Sequence, residues 1–150
     1  ESVKKSQPEG LPEKFESGTQ NMNGISGLKA GVDFVKNRGI KNIYNHEYKL
    51  AKRLFNGLAN NRKVITYNKS FDYGKVAPVV SFNIDGVYSE DLVAKLNKYG
   101  IMTRGGLHCS PLAHTTMNTI ENGTVRVVPG AFNTINDINY LLNVIRKLTN

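Results

Sequence analysis

Ile25, Leu28, Val32 and Val35 recur at three- and four-residue intervals with polar side chains between them, the spacing that gathers apolar groups on one helix face. Gly24, Gly27 and Gly31 form a second stripe on the same segment. Each glycine weakens a helix interior by roughly 1 kcal/mol relative to alanine, so three of them predict close approach of another backbone. Lys36 and Arg38 suit the negative end of this helix, and Gly39 can cap it. A longer helix follows, with Ile43, Tyr44, Leu50, Ala51, Leu54, Phe55 and Leu58 on one broad face, ending near Asn60-Asn61.

Beyond Asn61 the period shortens to two. Val64-Ile65-Thr66-Tyr67 reads as a short strand. From Val79 to Ile84, Val80, Phe82 and Ile84 alternate with Val79, Ser81 and Asn83, bounded by Pro78 and an Asp85-Gly86 turn. Ser89 is the expected N-cap of a helix with Glu90 and Asp91 in its first turn, Leu92, Val93 and Leu96 on its apolar face, and Gly100 closing it. Ile101 to Thr103 reads as a brief strand. Residues 115–122 are polar and carry no clear period. Thr124 to Val128 is a strand candidate with Arg126 at its centre. Thr134 and Asp137 match a capping box with Asp in place of Glu, opening a last helix lined by Ile138, Leu141, Leu142, Ile145 and Leu148. The order predicts an α/β fold, a small mixed or antiparallel sheet with helices packed on it.

Residues 1–22 are polar and punctuated by Pro8, Gly10, Pro12 and Gly18. They read as an extended arm lying across another domain or subunit, or as a disordered tail, and composition leaves both open. The domain proper then spans residues 23–150.

With 150 residues, 39% hydrophobic and 21% charged, the chain is long enough for one real core. No apolar stretch approaches the ~18–20 residues of a membrane-spanning helix, and no basic-apolar-small leader opens it. One cysteine makes no internal disulfide and no thiolate zinc site, which fits a reducing cytoplasm. The first residue is Glu1, the mark of a processed chain or a piece of a longer one. A net charge of +8 raises the question of nucleic acid, but the 20 Lys and Arg are spread along the sequence without a dense cluster or aromatic interleaving, which argues against it.

The chemistry concentrates in Arg104-Gly105-Gly106-Leu107-His108-Cys109, followed by Ser110-Pro111. A reactive cysteine needs nearby positive charge to hold its thiolate, and Arg104 or a protonated His108 would supply it. The competing reading makes Cys109 a small buried hydrophobe in a non-catalytic binding or scaffold domain. Adjacent residues on an extended chain point oppositely, so His108 need not face Cys109. Arg126, between Val125 and Val127, either points to solvent, joins an ion pair or clamps a carboxylate. Gly18-Thr19 offers a hydroxyl and backbone donors of the kind a phosphate takes. His46 and His114 carry weaker signals, and no catalytic triad or metal cluster is evident.

Together these landmarks resemble a family. Lys14-Phe15-Glu16-Ser17-Gly18-Thr19-Gln20-Asn21, then Gly24-Ile25, Gly27-Leu28 and His46-Glu47, look like the central segment of class V aminotransferases. Arg104 to Cys109 looks like the active-site cysteine loop of group II cysteine desulfurases, and Thr124-Val125-Arg126 with Phe132-Asn133-Thr134 resembles the family's closing motif. Lys14, Gln20 and Leu107 depart from the residues most common there.

The resemblance implies the C-terminal small domain of a fold-type I pyridoxal-phosphate enzyme, usually a homodimer. The N-terminal domain with the Schiff-base lysine would be absent and residues 1–22 would belong to the cofactor-domain side. This piece alone would then hold no cofactor and be inactive. In the whole enzyme pyridoxal 5'-phosphate acts as electron sink, Cys109 attacks the sulfur of L-cysteine to leave a persulfide, and alanine departs. Arg126 would grip the substrate carboxylate, with Arg104 and His108 beside it, while Gly18 and Thr19 would reach the cofactor phosphate. A sulfur-acceptor protein would be the partner. The wider family also contains aminotransferases and selenocysteine lyases acting on other amino acids, and these remain open.

Overall fold

The computed structural model describes residues 9–16 and 18–150, so residues 1–8 and Ser17 of the expected arm lie outside the described residues. Contacts divide the chain into two compact units at the junction of Ile40 and Lys41.

In the first unit, Lys14 N–H donates to the Gly10 carbonyl at 2.8 Å and Phe15 N–H to that of Pro12 at 3.0 Å, so this stretch is turned. Helix α1 (Met22–Arg38) follows. Asn21 caps it by accepting from Gly24 N–H at 2.9 Å, and Gly39, at φ 80°, ends it with its N–H on the Val35 carbonyl. The stripe of Ile25, Leu28, Val32 and Val35 forms as expected, yet every one is exposed. A Cβ at Gly27 or Gly31 would meet nothing within 4 Å, so the close backbone approach predicted from the glycine stripe is not found among the described residues.

Helix α2 (Ile40–Ala59) leads into the second unit, which adds β1 (Val64–Thr66), β2 (Val80–Ile84), α3 (Ser89–Asn97), α4 (Pro111–Thr116), β3 (Val125–Val127) and α5 (Ile135–Thr149). The sheet runs β1-β2-β3 and both pairings are antiparallel, with Val64 opposite Ile84 and Val80 opposite Val127. A loop without a helix joins β1 to β2, while α3 and α4 both lie between β2 and β3. The core draws on the apolar faces read from the sequence, with Leu54 and Leu58 of α2, Val80 and Phe82 of β2, Leu92 and Leu96 of α3 and Ile145 of α5, and adds Val125 of β3 and Val144 of α5, which the periodicity did not single out. Thr134 and Asp137 form the predicted capping box at the head of α5.

Three local expectations change. Ser89 is the first helical residue of α3 rather than its cap, and its buried hydroxyl accepts from Gly106 N–H at 3.0 Å. Pro111 starts α4, because a missing N–H costs nothing in a helix's first turn. Ile101 to Thr103 does not become a strand, and only Arg104 bridges to β3. Asn83, on the supposed outer face of β2, is buried.

Candidate active site

Arg126 N–H donates to the Arg104 carbonyl at 2.8 Å, and Arg104 N–H returns a bond to Arg126 at 3.4 Å. Residues that exchange both bonds in an antiparallel bridge stand directly opposite each other, with both side chains on the same side of the ladder. The two arginine side chains therefore leave the ladder on the same side. Arg126 is half-buried and Arg104 exposed. Among the described residues neither has a carboxylate partner, the ion pair present being Lys29–Asp33 on α1. Like charges facing each other destabilise a sheet, and a bound anion would reverse the sign.

The loop that follows is fixed by backbone contacts. A Cβ on Gly105 would fall 2.9 Å from the Ser89 carbonyl oxygen, and one on Gly123 would fall 2.6 Å from the Cα of Gly106. Only glycine admits such approach. Thr124 N–H donates to the Gly106 carbonyl at 3.1 Å. Behind it, buried Asn83 donates to the Gly123 carbonyl at 2.9 Å, accepts from Val125 N–H at 3.3 Å and donates to the Tyr67 hydroxyl at 3.2 Å. Burial pushes the Tyr67 phenol above its ordinary value, and the Asn83 bond opposes this.

His108 and Cys109 follow with φ of 52° and 59°, two consecutive non-glycine residues in the left-handed region. Such backbone costs about 1–3 kcal/mol per residue and clusters at functional sites. The turn explains why Cys109 is exposed while His108 folds inward. His108 Nε2 lies 2.9 Å from the Thr124 carbonyl oxygen. A carbonyl only accepts, so Nε2 carries the ring proton and Nδ1 the lone pair, which is buried without a partner. The ring stands 5.9 Å from that of His114, whose Nδ1 meets the Thr119 hydroxyl at 2.8 Å. Both imidazoles line a cavity of about 230 Å³ together with Tyr67, Met117 and Thr124.

Burial, above all, pushes the His108 pKa below its ordinary 6.5; the positive charges of Arg126, His114 and Arg104 add to this, and the Thr124 bond opposes it. The net shift favours the neutral ring. Of the two cations considered beside the thiol, the imidazole is thus disfavoured.

Gly18 and Thr19 lie in the first unit as an exposed bend, Gly18 at φ 131°. An exposed hydroxyl beside a glycine in that conformation is compatible with a phosphate. His46, of α2, is not a bare surface group: its Nε2 contacts the Asn133 carbonyl at 2.8 Å and so ties α2 to the turn before α5. Asn83, Ser89 and the His114–Thr119 pair hold the loop, and nothing in their spacing along the chain announces it. Among the described residues no group of three His, Cys, Asp or Glu could hold a metal, and no helix is long and apolar enough to cross a membrane.

The aminotransferase class-V family model matches residues 1–141. A probable cysteine desulfurase of Pyrococcus abyssi is 36% identical over 138 residues, which are 91% of this chain and 33% of that protein. Another from Synechocystis is 31% identical over 132 residues, 88% of this chain and 31% of its own length. Among solved structures, the apo cysteine desulfurase of Thermococcus onnurineus superposes with a TM-score of 0.81 at 35% identity, over 92% of this chain and 34% of the other. A cysteine desulfurase of Escherichia coli in an S-sulfonic acid form gives 0.77 at 26% identity, over 91% and 32%. The chain thus spans about a third of the length of the relatives it matches.

Proposed function

This chain belongs to the class V aminotransferase family, and on that premise we propose that it supplies the thiol-bearing segment of a pyridoxal-phosphate-dependent cysteine desulfurase. The observation that carries the reading is the backbone exchange between Arg104 and Arg126, which sends two arginine side chains without carboxylate partners among the described residues to the same side at the start of the loop that exposes Cys109.

Arg126 grips the carboxylate of L-cysteine with two parallel N–H bonds, and Arg104 adds a second positive charge to the same anion. Cys109, as thiolate, forms an S–S bond with the substrate sulfur while the substrate C–S bond breaks. The pair from that bond stays with carbon, which takes up a proton, and the proton given up by the Cys109 thiol balances it. Alanine leaves and a persulfide remains on Cys109. His108 acts through the loop, its Nε2–H anchored on Thr124. Pyridoxal phosphate, when bound, supplies the electron sink for the C–S cleavage, with the Thr19 hydroxyl and the Gly18 turn available to its phosphate. The same reading makes the enzyme a homodimer in a reducing cytoplasm, handing its sulfur to an acceptor protein.

The test is sulfide release from L-cysteine by the intact gene product carrying pyridoxal phosphate. Cys109→Ser is expected to abolish the persulfide while leaving cofactor absorbance near that of the parent. Unchanged sulfide release in that variant removes Cys109 from the reaction.

A further inference from the structure

Basic residues that are scattered along the sequence meet in space at the end of the second unit remote in sequence from the cysteine loop. Arg53 of α2, Arg62 and Lys63 of the turn beyond it, and Arg146 of α5 line one groove of about 570 Å³ that no acidic side chain lines. Leu142 and Ile145 also line it where α2 and α5 touch; a Cβ on Gly57 would fall 2.5 Å from a Leu142 methyl.

Two of the four cations are held in place. Arg53 donates twice to Asn139 Oδ1, at 3.2 and 3.1 Å, and Arg146 donates to Asn143 Oδ1 at 3.3 Å. Both acceptors are neutral amides, so neither charge is cancelled. Arg62 and Lys63 are exposed and have no ion-pair partner among the described residues. The plain explanation is compensation of helix ends, since α2 and α5 both terminate here. Each helix C-terminus carries about half a negative charge, roughly one in all, and the α-carboxylate of Asn150 adds one more to the 150-residue chain, which leaves about half of the cationic charge in this groove without a counterpart.

We propose that this groove docks an acidic segment of a partner protein, carboxylate side chains meeting Arg53, Arg62, Lys63 and Arg146 while aliphatic groups cover Leu142. A compact phosphate is a poorer fit. Phosphate seats are built from N–H groups at helix N-termini, whereas both helices present carbonyl ends here. Single-stranded nucleic acid is also a poorer fit, because no aromatic side chain lines the groove for bases to stack on. Separate carboxylates on a peptide can each reach a rim cation without being pressed against those carbonyls. The inference does not depend on the desulfurase reading.

The probe is a dye-labelled peptide, Glu-Leu-Glu-Glu-Leu-Glu with blocked ends, titrated against the 150-residue chain at moderate salt and followed by anisotropy. Arg62→Glu combined with Lys63→Glu is expected to weaken it about tenfold. Lys69→Glu combined with Lys75→Glu makes the same change in net charge at exposed positions outside the groove and is expected to weaken it less than about threefold. Amide shifts of the labelled chain should map to α2 and α5 near Arg53 and Arg146. Equal weakening by the two double variants means attraction to net charge alone and overturns the proposal. Displacement by pyrophosphate as effective as by unlabelled peptide overturns it as well.

Discussion

Arg104 and Arg126 exchange backbone hydrogen bonds across the edge of the sheet, which commits their guanidiniums to the same side. In the free protein this is a liability, since facing like charges cost roughly 0.2–1 kcal/mol. Arg104→Gln is therefore expected to leave the chain as stable as the parent or more so, by a few tenths of a kcal/mol. Raising the ionic strength should narrow the gap. Urea denaturation at low and high salt measures both.

In the intact enzyme the same pair should show the opposite value. Arg126→Ala is expected to raise KM for L-cysteine by about ten- to a hundredfold, in line with the loss of a charged bidentate contact. Arg126→Lys should recover only part of it, because an ammonium keeps the charge but not the fork. Steady-state kinetics decide, and unaltered kinetics in both variants would remove the clamp.

Cys109 sits at φ 59° directly after His108 at φ 52°. An exposed cysteine would ordinarily accept valine at little cost. Here a β-branched side chain meets the left-handed backbone, so Cys109→Val should lose about 1–2 kcal/mol, while Cys109→Asn, which tolerates that region, should lose little. Thermal or urea unfolding of the two variants checks the turn without any reference to catalysis.

Gly105 and Gly123 test the loop's anchorage. Alanine at either position drives a methyl into backbone, Ser89 or Gly106, that cannot move aside as a side chain could. Each substitution is expected to cost about 1–3 kcal/mol or to displace the loop. In the second case the Thr124 amide, bonded to Gly106, should lose its hydrogen-exchange protection.

The elements were readable where a segment's own periodicity is matched by what it packs on. Phe82 alternates with polar neighbours and is buried, and Leu54 and Leu58 fall on one face of α2 and are buried. Thr134 and Asp137 are a local code and behave as one. What could not be read depends on contacts distant along the chain. Asn83 looks like an outward polar residue until Gly123 and Val125, some forty positions on, prove to need its amide. Ser89 has the composition of a cap, but Gly106 claims its hydroxyl. The motif located Cys109 and the two arginines. The inward turn of His108 onto the Thr124 carbonyl, and the burial that lowers its pKa, required the three-dimensional packing.

That lowered pKa gives a pH dependence with a defined sign. Folding lowers the His108 pKa below its ordinary 6.5, chiefly through burial, so the unfolded chain binds the proton more readily. Its contribution to stability is therefore fully present above about pH 6.5 and is lost as pH falls through that value toward the lower folded one. Asp137, held below 3.8 by the Thr134 N–H, has the same sign but acts in a separate, more acidic window. His108→Gln keeps a donor for the Thr124 carbonyl and removes the titration. The difference in unfolding free energy between parent and variant should be flat above pH 7 and should move in the variant's favour between pH 6.5 and 5. A difference that stays constant across this range would mean that the ring is not held neutral by the fold.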